Sequence, residues 1–269
     1  MGIIGAVLIV VVCSSLHELG HMLAALAFGL RVPRIGVGFG PMVVALRSTG
    51  LEWRLVFPFG RSFRLGASTS EKRSYEWRAL PLGAFIVCPA AQRMRLQTGR
   101  RSKLREAIEH RRSATTAARV AVFASGPIAN LATAAACFAG LVLADGGSMH
   151  EALIAPAIAA QSIAHQVREL TLSSAVGPVG VVAMLAKVDG AANAVMAVGV
   201  ISAQFGLLNL LPLPPLDGAR VLAAVYERAV NRRMRPRETV AFAIVAALVL
   251  ATSAGLVILD CSRLIAARA

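Results

Sequence analysis

The residues best suited to chemistry lie in one apolar stretch, VVVCSSLHELGHMLAAL (residues 10–26), and are His17, Glu18 and His21. They form the pattern HExxH. Residues four apart share one face of a helix, so both imidazoles can bind one metal ion, with Glu18 beside it as a base. Ionisable groups in an apolar helix are unfavourable unless a metal ion, a partner or water stabilises them. We therefore predict a metal-binding helix; the alternative is a buried, hydrogen-bonded histidine pair.

A third ligand is required, since catalytic zinc sites generally use three protein ligands and keep a fourth position open for water. Asp217 is the outstanding carboxylate. It follows the prolines of LLNLLPLPPLDGAR (207–220), which end a helix and free the carboxylate to turn toward a neighbouring helix. Two alternatives stay open: Asp217 only caps the next helix, or Cys13 is a ligand. Ligands along a single helix surround a tetrahedral ion poorly, which disfavours Cys13.

Composition places these residues in a membrane protein. The chain has 269 residues, of which 57% are hydrophobic and 16% are charged. The net charge of the chain is +14. Most of its Lys and Arg residues lie in 31–78, 93–112 and 228–237, whereas Arg168 is the only one of them in 120–186. This alternation is typical of cytoplasmic loops in a multispan protein. We therefore expect the lipid bilayer as a partner and no binding of nucleic acid.

The predicted fold class is an α-helical integral membrane protein with about four transmembrane helices. A membrane-associated β-hairpin or small sheet lies between helices 1 and 2. The spans are expected at 3–30, 119–144, 190–216 and 240–259. Placing the basic loops inside puts the N-terminus outside, and residues 145–172 then form the only sizeable external loop.

The region between the first two spans differs in pattern. Across 34–88, glycines and prolines separate short β-prone runs, and the letters STG at 48–50 are typical of a hairpin turn. A second β-prone run covers 75–87. Residues 92–118 then predict a basic surface helix that leads into the second span.

Depth in the bilayer is compatible for the candidate residues. At about 1.5 Å per residue, His17 lies about 22 Å from the outer end of its span, and Asn130 lies about 15 Å from the inner face. Asp217 ends an inward-running span. His17 and Asp217 are thus expected in the cytoplasmic half of the membrane, with Asn130 at a compatible depth.

In several motifs, the chain resembles the site-2 protease family of intramembrane zinc metalloproteases. The motifs occur in the order of that family: HELGH at 17–21, SGPIAN at 125–130, GPVG at 177–180 and NLLPLPPLDG at 209–218. The closest type looks like the bacterial regulator-of-sigma-E protease group, whose hairpin resembles 36–66 and whose glycine-bearing strand resembles 81–85. The predicted external loop has no room for the PDZ domains of that group.

The resemblance implies one Zn²⁺ per chain, bound by His17, His21 and Asp217, with Glu18 as the general base. It implies that Asn130 contacts the substrate backbone or the developing oxyanion. The strands at 36–66 and 81–87 would clamp an unwinding substrate by β-addition. The implied substrate-binding residues are Asn130, Gly126, Pro127, Asn209, Gly83 and Ala84.

By resemblance, the expected function is zinc-dependent hydrolysis of transmembrane segments of single-span proteins in the bacterial cytoplasmic membrane. Anti-sigma factors and signal-peptide remnants are both suitable substrates. The alternative is a metal transporter or a non-catalytic metal-binding membrane protein. Such a protein would use the same histidines and Asp217, but it would not need Glu18.

Overall fold

A computed structural model of the chain describes residues 2–67, 73–88, 114–158 and 189–266. Its helices are α1 (Ile3–Ala27), α2 (Thr116–Ala144), α3 (Ala191–Leu210), α4 (Asp217–Ala229) and α5 (Pro236–Ala266), with a further helical segment at 149–158. Its strands, which follow α1 and precede α2 in the chain, are β1 (Arg34–Ser48), β2 (Glu52–Val56), β3 (Ser62–Ala67) and β4 (Ser74–Val87). Among the described residues, α1, α2, α3 and the part of α5 at Pro236–Leu256 are long and apolar enough to cross a membrane.

The helix ends differ from the predicted spans at one functionally important place. Helix α3 ends at Leu210, six residues before the predicted limit of 216. Proline has no backbone N–H and clashes with the preceding turn, so Pro212, Pro214 and Pro215 prevent the helix from continuing. Asp217 therefore lies in the first turn of a separate helix, α4, and not at the end of the membrane-crossing helix.

The predicted hairpin is part of a four-stranded mixed sheet with the order β3-β2-β1-β4. Strands β1 and β2 pair antiparallel, with Ser48 opposite Trp53 across the expected turn. Strand β4 is long and lies on both sides of β1: residues 34–37 of β1 pair parallel with 74–77 and antiparallel with 84–87. The described pairings therefore leave the end of β4 at a sheet edge.

Helix α1 contacts α2, α3 and β4. Near its C-terminal end, Ala25 packs with Val122, Phe123 and Ile86, among others, whereas its N-terminal half packs against α3. A side chain at Gly20 would collide with the backbone carbonyl of Ser125 in α2. The missing side chain thus lets the backbones of α1 and α2 approach closely.

A buried ion pair joins α4 to α2. Arg119 and Glu227 are only 5% and 8% exposed, and Nη1 of Arg119 lies 2.6 Å from Oε2 of Glu227. Glu227 also accepts hydrogen bonds from Nη1 of Arg233 and the backbone N–H of Met234, at 3.2 and 3.1 Å. Several donors therefore satisfy this buried carboxylate, and the contact fixes α4, which carries Asp217, against α2.

Two predicted segments can be compared only in part. Residues 149–158 of the predicted external loop are helical and follow a capping box, in which the N–H of Ser148 donates to Oε2 of Glu151 at 2.7 Å. Of the predicted basic helix at 92–118, residues 116–118 belong to α2 and 92–113 lie outside the described residues. The motif at 177–180 also lies outside them.

Candidate metal centre

The side chains of the two histidines of α1 face each other inside the helix bundle. His17 and His21 are 7% and 6% exposed, and their Nε2 atoms are 3.1 Å apart. One helical turn separates them, so the packing of α1 against α2 buries both rings on the same side. The helix thus presents two imidazole nitrogens to one point, as the spacing predicts.

Asp217 reaches the same point from α4. Its Oδ2 lies 2.9 Å from Nε2 of His17 and 3.0 Å from Nε2 of His21. Burial alone would raise the pKa of Asp217, but its contacts with the two histidines and the charge of Arg220 outweigh burial and hold this pKa well below its usual value. The ionised carboxylate is the form of Asp217 that can bind a metal ion.

The donor set fits a zinc ion. The ligand atoms of His17, His21 and Asp217 all lie within 4.8 Å of one another. In a tetrahedral site with bonds of about 2.0–2.1 Å, neighbouring ligand atoms are roughly 3.3 Å apart, slightly more than in this cluster. Two imidazoles and one carboxylate are a ligand set that zinc prefers, and a small outward shift would admit the ion.

Cys13, the alternative ligand, does not join this group. Its Sγ lies 3.7 Å from the carbonyl oxygen of Val198, and the residue packs between α1 and α3. Of the residues at positions 13, 17 and 21, which lie one turn apart on α1, only the two histidines contact Asp217.

The outer nitrogen of His21 contacts α2. Nδ1 of His21 hydrogen-bonds to the carbonyl oxygen of Val122. A carbonyl can only accept, so Nδ1 carries the proton and the neutral ring keeps a lone pair on Nε2. This tautomer is the one that a metal ligand needs. The sequence did not indicate Val122, because the contact uses its backbone.

The outer nitrogen of His17 faces the other predicted polar residue of α2. Nδ1 of His17 lies 3.2 Å from Nδ2 of Asn130, whose side chain is completely buried. The structure thus brings Asn130 to the ring of a candidate ligand. Contact of Asn130 with a substrate or an oxyanion stays a prediction.

Glu18 lies beside the cluster and binds the end of β4. Its Oε2 accepts a hydrogen bond from the N–H of Ile86 at 2.9 Å, and Oγ of Ser14 accepts one from the N–H of Ala84 at 2.7 Å. Ser14 and Glu18 are one turn apart, so one face of α1 meets the sheet edge. A cavity of about 150 Å³ is lined by Glu18, His21, Asp217, Arg220 and Phe85, among others.

Gly126 provides the space that the two imidazoles occupy. A side chain at this position of α2 would collide with Nε2 of His21 and would lie 2.8 Å from Nε2 of His17. The resemblance implied that Gly126 binds substrate, whereas the structure places it directly against the candidate ligands.

The remaining predicted site residues differ in their distance from the cluster. Pro127 is fully buried, and its carbonyl faces Gly206 at the crossing of α2 and α3. Asn209 donates to the carbonyl of Phe205 in its own helix at 2.9 Å and does not contact the cluster in the described structure. Gly83 lies in the backbone of β4, next to Ala84.

Sequence reasoning missed two polar residues of this region. Ser14 lies one turn before Glu18, and this spacing could have identified it as part of the same helix face. Arg220 lies three residues after Asp217, and its Nη1 is 3.4 Å from Oδ1 of that carboxylate. An i, i+3 charge pair on the predicted following helix would have been the signal for it.

Comparisons match the chain to a peptidase family and to proteins named zinc metalloproteases. A family model described as "Peptidase family M50" matches residues 5–252. The chain is 30% identical over 142 residues to a Chlamydia trachomatis protein named "Putative zinc metalloprotease", covering 49% of this chain and 18% of that protein. It is 36% identical over 85 residues to the zinc metalloprotease Rip1 of Mycolicibacterium smegmatis, covering 32% of this chain and 16% of Rip1. The alignments span less than a fifth of either relative.

We predict that Gly126→Ala impairs zinc binding, because the added methyl group would displace the two ligand imidazoles. The expected loss is at least the roughly 10–100-fold that follows removal of an outer contact of a metal ligand. The measurement is competition for zinc with a chromogenic chelator. Gly140→Ala is the matched control, since a side chain at this position of α2 meets no atom within 4 Å. Equal zinc affinity of the two variants would contradict the geometry.

Proposed function

The chain belongs to peptidase family M50, and we propose that it is a zinc-dependent endopeptidase that cleaves membrane-spanning segments of single-span membrane proteins. The observation that carries this proposal is the convergence of His17, His21 and Asp217 beside Glu18, a further carboxylate that lines the same cavity. Two histidines and one aspartate supply three zinc ligands, and a neighbouring carboxylate supplies the base that a hydrolytic zinc site needs.

The three ligands bind the metal ion together in this proposal. His17, His21 and Asp217 would hold one Zn²⁺ per chain, and three protein ligands leave a position for water. Zinc bound there would supply Lewis-acid chemistry, making water more acidic and polarising the scissile carbonyl. The buried contacts of the two imidazoles with α2 keep the ligands oriented.

Glu18 acts as the general base and then as the general acid. Its carboxylate accepts a proton as the water oxygen bonds to the scissile carbonyl carbon. It returns a proton to the amide nitrogen when the carbon–nitrogen bond breaks, so the products are a carboxylic acid and an amine. Before substrate enters, the N–H of Ile86 donates to one oxygen of this carboxylate and holds Glu18 beside the cavity.

The reaction takes place within a bilayer in this proposal. The four apolar helices cross the bacterial cytoplasmic membrane with the N-terminus outside, and the metal centre lies in the cytoplasmic half. The concentration of basic residues in 31–78 and 228–237 supports this orientation. Water reaches the centre from the nearby cytoplasmic side.

A substrate helix must be extended before cleavage, because its own hydrogen bonds and side chains protect its backbone. Of the strands predicted to clamp the substrate, β1 is paired along much of its length, whereas the end of β4 lies next to Glu18. A substrate backbone entering between α1 and β4 would exchange the hydrogen bonds of Ala84 and Ile86 for its own. Anti-sigma factors and signal-peptide remnants are both suitable substrates for such a site.

We expect Glu18→Gln to retain zinc and to lower cleavage at least about 100-fold, because glutamine cannot accept the proton. The two readouts are zinc content and cleavage of a co-expressed single-span protein. Glu151→Gln, in the exposed helical segment, is the matched control and should cleave normally. Undiminished cleavage by Glu18→Gln would contradict the role of Glu18, and absence of cleavage by the parent protein would favour a metal transporter or a non-catalytic metal-binding protein.

A paired substitution tests strand addition at β4. Ala84→Pro removes an N–H that points to Ser14 and not to β1, so the sheet pairing should survive. Cleavage should fall while zinc stays bound. Ser14→Ala removes only the acceptor in α1 and leaves the N–H of Ala84 for a substrate, so the loss should be smaller. Equal losses in the two variants would indicate that this N–H serves only the contact with α1.

A further inference from the structure

We propose that Asn130 is a positioning residue of the metal centre, whose amide oxygen accepts a hydrogen bond from Nδ1–H of His17. This hydrogen bond fixes the His17 tautomer that presents the Nε2 lone pair to the metal. The inference rests on the proposed zinc-dependent function. It assigns to Asn130 a contact with a ligand, in addition to the substrate contact that the resemblance implies.

The amide of Asn130 is completely buried, and its Nδ2 lies 3.2 Å from Nδ1 of His17. An amide nitrogen can only donate, so Nδ1 would have to accept in this orientation. A neutral imidazole carries one proton, which would then lie on Nε2. A protonated Nε2 cannot bind a metal, although this atom is the one that faces Asp217 at 2.9 Å.

The oxygen of the same amide supplies a second, independent observation. Oδ1 of Asn130 is buried and has no hydrogen-bond partner in the described part of the chain. Buried polar atoms are nearly always paired, so an unpaired oxygen beside a ring nitrogen requires an explanation. A half-turn of the amide about the Cβ–Cγ bond exchanges oxygen and nitrogen with almost no change of shape. The oxygen then accepts from Nδ1–H of His17.

The exchanged amide gives both histidines the same environment. His21 already contacts a backbone oxygen of α2, at Val122, through Nδ1. Val122, Gly126 and Asn130 follow one another at intervals of four residues and therefore lie along one face of α2. Along this face, the carbonyl of Val122 is an acceptor for His21, Gly126 leaves space for the two imidazoles, and the amide oxygen of Asn130 is an acceptor for His17. Helix α2 thus orients both ligands without binding the metal itself.

The exchange moves the amide N–H₂ group of Asn130 to the position that Oδ1 now occupies. A substrate carbonyl that reached this position would accept from it, so the positioning role and a substrate contact are compatible. Loss of activity would follow from the loss of either role. Zinc affinity separates the two roles, because only the positioning role acts on the metal before substrate binds.

The experiment measures zinc affinity of the full chain in detergent by chelator competition, with the absorption spectrum of the cobalt-substituted protein as a second readout. Asn130→Leu removes the acceptor and should weaken zinc binding about 10–100-fold. Asn130→Asp keeps an oxygen at this position and should restore affinity and the parental cobalt spectrum. The control Thr133→Val removes a hydrogen bond to Ala129 in the same helix and should leave affinity unchanged.

Parental zinc affinity in Asn130→Leu would overturn the inference. Failure of Asn130→Asp to restore binding, in a variant with an unchanged unfolding temperature, would also overturn it, because the role of Asn130 would then be packing alone. Asn130→Ala replaces the leucine variant in the same comparison if leucine prevents folding. Absence of zinc binding by the parent protein would overturn the proposed function itself, which distinguishes that failure from the failure of this inference.

Discussion

Two imidazoles and a carboxylate can be buried between apolar helices only if their polar atoms have partners. In the structure, the side chains of His17, His21 and Asp217 lie within contact distance of one another, and the outer nitrogen of each ring contacts α2. The requirement for partners explains the local sequence of α2: Gly126 leaves room for the rings, and Val122 offers a carbonyl to His21. A metal ion would complete the arrangement by replacing mutual contacts of the ligands with coordination bonds.

The position of the third ligand, Asp217, requires a change of chain direction after α3. Asp217 must leave the line of α3, and the prolines between the two helices achieve this by ending α3 at Leu210. The new helix, α4, is then fixed to α2 by the buried pair of Arg119 and Glu227. The position and orientation of Asp217 therefore depend on a contact near the other end of α4, about 15 Å along the helix from the metal centre.

Local spacing in the sequence was sufficient to predict the metal-binding half-site, since His17 and His21 are separated by one helical turn. The proline-rich segment indicated that Asp217 could turn inward, and the family match agrees with the predicted resemblance. The wrapping of β4 around β1 and the Arg119–Glu227 pair could not be predicted, because each joins segments distant in sequence without a local pattern. The contact of Asn130 with His17 likewise depends on how α1 and α2 pack. The capping box at Ser148 and Glu151, in contrast, was a local signal that went unused.

Zinc-edge X-ray absorption of the purified full chain would identify the ligand atoms around the metal. The proposed centre predicts only nitrogen and oxygen neighbours, two imidazoles among them, at about 2.0–2.2 Å from the zinc. A sulfur neighbour at about 2.3 Å would instead indicate a cysteine ligand and would contradict the assignment of Asp217. Protein that binds no zinc would contradict the metal centre as a whole.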